Sequence, residues 1–286
     1  MKKVLLVLIL SAFLAPAFCQ DDQTSAKSSD PVTSTFGTTV LIDNPSVSTV
    51  ARGSVQLQIQ HRFSEISTIK DLYGIYGSAN TRIGLNYGIT DRLMVGVGTT
   101  KDYQLQDVNW KLLILQQTET NSMPVSLSYY GNVVLDARSN DAFGETDRYR
   151  FIHRFSYFTE FIVARKINNM LSVQVAPSIT YFNAVPQYSA DSTYKNLNFG
   201  LSLGARANLF GNHSLIVEYD RCLTNQPKIG TKPNLAIGWE IGTPTHTFQV
   251  FVANYNQIIS QRNLVFNTND LSSGQFIFGF NITVRF

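Results

Sequence analysis

The last thirteen residues, GQFIFGFNITVRF, alternate without a break. Phe276, Phe278, Phe280, Ile282, Val284 and Phe286 take one side of an extended backbone, and Gln275, Ile277, Gly279, Asn281, Thr283 and Arg285 take the other. Successive strand side chains point to opposite faces, so a period of two fixes a strand with one apolar face and excludes a helix for this stretch. The same period recurs along the chain. Val55, Leu57 and Ile59 alternate with Gln56, Gln58 and Gln60, and Ile83, Leu85 and Tyr87 alternate with Arg82, Gly84 and Asn86. Apolar rows follow at Leu93 to Val97, Val108 to Ile114, Val125 to Val133, Leu171 to Tyr181, Leu197 to Leu209, Leu215 to Tyr219, Leu235 to Ile241 and Phe248 to Val252. Tyr157, Phe161 and Val163 form a weaker row, because Phe158 and Ile162 occupy its other face. The pattern predicts about twelve strands, an even number as bacterial transmembrane barrels require.

Alternation alone does not separate a barrel in lipid from a soluble sandwich, since both bury one face of each strand. Three features favour the barrel. Short turns near Thr90, Asn168, Gly211 and Pro244 interleave with long connections, as in barrels with short inner turns and long outer loops, although the pattern blurs around the fourth strand. Phe63, Tyr87, Trp110, Tyr129, Tyr181, Tyr219 and Trp239 fall near the ends of the apolar rows, where interfacial aromatics belong. The chain ends on Phe286, and a terminal amphipathic strand closing on an aromatic residue resembles the signal by which outer-membrane barrels are recognised for insertion. Phe278, Phe280 and Phe286 are the residues assigned to that signal, and the barrel-assembly machinery and outer-membrane lipid are the partners it implies. The fold class is therefore all-β, a transmembrane antiparallel up-and-down β-barrel over residues 53–286.

The amino terminus fits this compartment. Lys2 and Lys3 precede an apolar run from Val4 to Leu14, and Ala15, Pro16 and Ala17 follow before the polar Gln20, Asp21 and Asp22. That is the layout of a signal peptide over residues 1–19, cleaved after Cys19. Bulky Phe18 argues against a lipid anchor on Cys19. Mean hydropathy is −0.04, which a barrel shares with soluble proteins because only alternate residues face lipid. Beyond the signal Cys222 is the one thiol, so no disulfide framework is expected. The net charge of +3 falls to +1 once Lys2 and Lys3 are removed, and no nucleic-acid partner is implied. Residues 20–52 read as a periplasmic linker, with residues 35–50 left as a possible plug.

The pieces QHRFSEI, DLYGIYG, LNYGITDRLMVGVG, WKLLILQQ, MPVSLSYYG, ARKINNMLSVQVAPSITYFN and FGFNITVRF, in this order, resemble a family of Gram-negative outer-membrane β-barrel proteins known only as a domain of unknown function. The resemblance implies the barrel and its location. It brings no activity and no functional residues.

Strand parity then supplies the candidate site. The inward set holds Arg62, Arg82, Lys111, Arg206 and Arg285 against Glu160, Glu218, Asp220 and Glu240. Near balance of the two signs predicts weak ionic selectivity, or an interior closed by salt-bridged side chains. Inward glycines at positions 84, 96, 98, 200, 204, 238 and 279 serve either barrel curvature or room for an inserted segment, residues 35–50 or the loop holding Asp71, Leu72, Tyr73 and Gly74. A passive pore for small solutes is the reading this supports. Two others stay open: a receptor, adhesion or assembly barrel using the loops 136–148 and 255–273, and a lipid hydrolase using His61 with a serine near Ser272. No metal or cofactor is expected, since no cysteine-histidine cluster, phosphate-binding glycine loop or nucleophile elbow is present.

Overall fold

The computed structural model describes residues 30–66, 72, 74–143, 149–185, 187–189, 192–226 and 230–286. The segment read as a signal peptide, and Asp71 and Tyr73 of the aromatic loop, lie outside the described residues. Among those described, seven strands come first: β1 (Val55–Glu65), β2 (Asn80–Thr90), β3 (Leu93–Thr100), β4 (Leu105–Leu115), β5 (Ser126–Asp136), β6 (Phe155–Lys166) and β7 (Leu171–Phe182). A small ribbon follows, β8 (Gln187–Ser189) with β9 (Ser192–Thr193). Then come β10 (Leu197–Phe210), β11 (His213–Cys222), β12 (Asn234–Gly242), β13 (His246–Ala253) and β14 (Ile277–Arg285). All but the ribbon pair in chain order into a closed antiparallel barrel of twelve strands. Closure leaves no free sheet edge.

The seam is β1 against β14. Leu57 faces Val284, Ile59 faces Ile282, and His61 faces Phe280. Val55 and Phe286 exchange backbone hydrogen bonds of 3.2 and 2.9 Å, so the pairing runs to the last residue. The Phe278 and Phe280 row shares the outer face with Leu57 and Ile59 but sits higher along the seam, where Phe280 stacks on His61 at 4.9 Å. Outward apolar residues, among them Ile83, Val97, Val108, Phe161, Ile237 and Val250, are exposed in rows around the barrel. A contiguous apolar belt of this kind is incompatible with water and suits lipid. No described helix is long and apolar enough to cross a membrane.

The blurred loop alternation around β4 has a physical cause. Between β3 and β4 the chain turns in four residues, with Tyr103 and Gln104 in the left-handed region (φ 59° and 50°). The β4–β5 connection at the opposite end is wide because it receives the incoming chain: Val32 N–H donates to Gln117 O at 2.7 Å and Pro31 bridges Thr118. Residues 30–34, read as flexible linker, are therefore docked on a turn.

Phe286 itself is 73 % exposed, so its ring contributes little packing while its backbone completes the seam. We expect Phe286→Ala to lower the yield of assembled barrel in vivo while leaving the unfolding temperature of inserted barrels within a few degrees, about what a change near 0.5 kcal/mol produces. Equal assembly yield, compared by heat-modifiable gel shift, would refute the assembly role.

Candidate functional site in the barrel lumen

The inward face of each strand is polar, yet the lumen is not empty. Residues 36–50 enter from the short-turn end and fold inside the wall, with Phe36, Leu41, Ile42, Val47 and Val50 all buried. Between Thr39 and Ser46 the segment forms a tight hairpin, closed by Leu41 N–H to Asn44 O and Ser46 N–H to Thr39 O, both 2.9 Å. Ile42, Asp43 and Asn44 make its tip. An irregular segment in this position carries many backbone groups that water would otherwise satisfy, and each needs a partner from the wall.

The charged wall residues supply those partners. Glu218 Oε2 accepts the backbone N–H groups of Ile42, Asp43 and Asn44 at 3.1, 3.0 and 3.0 Å. Three converging N–H groups form an anion-binding nest around one carboxylate oxygen. The other oxygen accepts Tyr255 OH at 2.9 Å. Beside it Asp220 accepts the Asn44 amide at 2.5 Å. Arg62 closes the far side of the tip, paired with Asp43 at 2.6 Å and lying 4.4 Å over the Phe251 ring. Lys111 donates to the carbonyls of Thr39 and Ser48 at 2.7 and 2.9 Å, and Arg285 donates to Gly37 O. Asn281, Ser128 and Gln174 take the carbonyls of Ile42, Val47 and Pro45.

The other expected wall charges act on one another. Arg82 pairs bidentately with Asp107 at 2.8 and 2.6 Å, and Arg206 pairs with Glu240 at 2.6 Å. Glu160 is buried with no hydrogen-bond partner for either carboxylate oxygen among the described residues. Asp107 belongs to this site and was missing from the inward set, although it shares parity with Lys111 and could have been found on that ground. Tyr255 and Phe251 were also missed. Phe251 is an apolar residue on the polar side of its strand, a signal of something packed inside.

An apolar cluster joins segment and wall. Phe36, Leu41, Ile42 and Val47 pack with Leu113, Ile162, Ile216, Phe251, Tyr255 and Ile277. The inward glycines divide by cause. A Cβ at Gly204 would collide with Leu41 of the hairpin, which is the room-making role weighed above. Gly84 and Gly98 make space for the Arg82 guanidinium, and Gly238 and Gly279 flank Phe251, roles in neither earlier reading. Of the aromatic loop's two described residues, Leu72 is exposed and Gly74 buried.

The loop 255–273, weighed above as a working outer loop, instead folds back over the lumen from the long-loop end, within the connection 254–276. Its helix α1 (Ser260–Phe266) buries Gln261, Asn263, Leu264 and Val265, and Gln261 donates to Asn132 and Ser156 at 2.9 and 3.2 Å. Gly200 leaves room for Leu264. The connection's outer part is pinned by Lys232 and Ser272, whose hydrogen bonds to Asp270 hold that carboxyl down at about 2. Between hairpin, wall and α1 there remains a void of about 40 Å³, room for water and too small for a solute. His61, weighed with Ser272 for hydrolysis, bonds Thr81 at 2.8 Å and stacks on Phe280, while Ser272 is held by Asp270 at 2.7 Å.

Residues 36–286 match the family model described as membrane bound beta barrel domain (DUF5777). The match begins at Phe36, the first buried residue of the inserted segment. Among solved structures, the COG4313 outer membrane channel from Pseudomonas putida F1 is similar at 9 % identity and a TM-score of 0.51, over 84 % of this chain and 98 % of that one. The KdgM porin aligns at 8 % identity and a TM-score of 0.49, over 82 % of this chain and 99 % of that one. At such identities the likeness is one of fold. No curated protein matches the sequence.

Proposed function

The chain belongs to the membrane bound beta barrel domain family (DUF5777), and we propose that it is an outer-membrane channel for small solutes closed at rest by its own residues 36–50. The observation that carries this reading is the mode of attachment. Alongside the apolar cluster of Phe36, Leu41, Ile42 and Val47, the hairpin is held through hydrogen bonds and ion pairs to wall side chains, groups that water can satisfy once the hairpin leaves. The domain match starting at Phe36 supports the same view, because the segment travels with the barrel as one unit. The similar outer membrane channel from Pseudomonas putida F1 is consistent with a conducting role.

With the hairpin out, the wall presents Arg62, Arg82, Lys111, Arg206 and Arg285 against Asp107, Glu160, Glu218, Asp220 and Glu240. Matched signs leave no lopsided ring of charge, so the open channel selects weakly between anions and cations. The test is electrical. In a salt gradient, current through a chain lacking residues 35–50 should reverse close to zero potential. Reversal near the equilibrium potential of one ion would reject this selectivity. The channel is no enzyme in this reading, and its cleaved signal and Phe286-directed assembly follow the export route of outer-membrane barrels.

A further inference from the structure

A second space lies above the closed lumen, between α1 and the long-loop ends of β4 to β7. Its volume is about 520 Å³, within the range of about 300–1,000 Å³ usual for small-molecule sites. Tyr103, Phe143 and Phe182 give it aromatic walls, and Arg138, Arg154 and Arg262 line it. Asp136 is the one carboxylate among the described lining residues, and Arg138 takes it at 2.7 Å.

The two remaining guanidinium groups are held by neutral partners. Arg154 donates to the carbonyl oxygens of Asp136 and Arg138, to Asn140 Oδ1 and to the Tyr149 hydroxyl. Arg262 donates to Gln257 Oε1 at 3.3 Å and lies over two rings, Tyr103 at 3.6 Å and Phe266 at 4.9 Å. Arg138 sits over the same Tyr103 ring at 4.5 Å. Such contacts fix the planes of the arginines without cancelling their charge. Guanidinium groups partly withdrawn from water, oriented beside a cavity and lacking a carboxylate of their own, are arranged for an oxyanion.

We propose that this vestibule binds a soluble anion in which carboxylate or phosphate groups are carried on a flat, ring-shaped body. Arg154 and Arg262 take the oxyanion, and the aromatic walls take the ring. The strand wall separates the cavity from surrounding lipid, so the ligand arrives from solution at the long-loop side. This proposal concerns binding alone and stands whether or not the hairpin gates conduction.

The probe is benzene-1,3,5-tricarboxylate, titrated calorimetrically into the intact detergent-solubilised chain at low salt, with inorganic phosphate and benzyltrimethylammonium titrated in parallel. The tricarboxylate should bind more tightly than phosphate, and the cation should not bind. Arg262→Gln should weaken the tricarboxylate about tenfold or more, with Arg262→Lys falling between. Tricarboxylate binding no tighter than the cation's, or unchanged in Arg262→Gln, would overturn the proposal. Should Arg262→Gln fail to assemble, the intact chain decides: affinity for the tricarboxylate must fall as salt is raised, and salt-independent binding would also overturn it.

Discussion

Deleting residues 35–50 is expected to raise single-channel conductance about tenfold or more, because a twelve-stranded wall encloses a lumen of intermediate width that only its contents close. In the intact chain the void between hairpin, wall and α1 is about 40 Å³. The barrel should survive the deletion. Its seam and ladders run between strands and use no backbone group of the hairpin. The wall charges left behind, Glu218, Asp220, Arg62 and Lys111, then face water in place of the hairpin and pay no burial penalty. The outer connection loosens as well, since Tyr255 packs in the cluster that Phe36, Leu41, Ile42 and Val47 build. Planar-bilayer recording of the deleted and intact chains side by side measures the difference. Equal conductance would mean that α1 or the loops close the barrel without the hairpin.

The second large effect should come from one atom pair. Glu218→Gln keeps the size of the side chain but replaces an acceptor-only carboxylate with a group that offers a single acceptor oxygen. That oxygen can serve the nest of Ile42, Asp43 and Asn44 N–H groups or Tyr255 OH, but not both. Buried donors left unpaired cost about 1–3 kcal/mol each, so docking of the hairpin should weaken by about 3 kcal/mol. At about 1.4 kcal/mol per tenfold, that is roughly a hundredfold shift toward the undocked state. The expected readout is a channel that is mostly closed as the intact chain and shows frequent openings in the variant. Glu160→Gln serves as the control, because Glu160 makes no hydrogen bond to the hairpin. Openings of equal frequency in both variants would show that loss of any wall carboxylate, rather than of the nest, is responsible.

The wall was legible in the sequence because a period of two leaves no freedom. One greasy face per strand, repeated from Val55 to Phe286, sets strand number, facing and seam together. The contents of the lumen were legible only in part, since an inserted segment has no period of its own. Residues 35–50 contain one apolar triplet, Val40, Leu41 and Ile42, and a turn pair, which is compatible with many conformations. The trace they left is on the wall. Phe158 and Ile162, which weakened the sixth row, and Phe251 on the polar side of β13 are apolar residues facing inward, and each packs on an inserted element or its cluster. A misleading feature was composition: the loop 255–273 is rich in Asn and Gln and so read as solvated. Those residues are instead turned to the barrel interior, as with Gln261 on Asn132, while Ile258, Ile259, Leu264 and Val265 carried the better signal. Parity gave a near balance of inward charge as an expectation, but the pairing of Glu218 with backbone N–H groups depends on a fold that only the three-dimensional structure specifies.

Hydrogen exchange of the intact chain reconstituted in lipid tests the occupied lumen most directly. Amides of residues 41–44 and 46, which donate to Glu218, Asn44 O and Thr39 O, should exchange orders of magnitude more slowly than an unstructured peptide and lose that protection in Glu218→Gln. Exchange of those amides at the rate of a free chain, with β10 and β11 still protected, would contradict a lumen closed by its own segment.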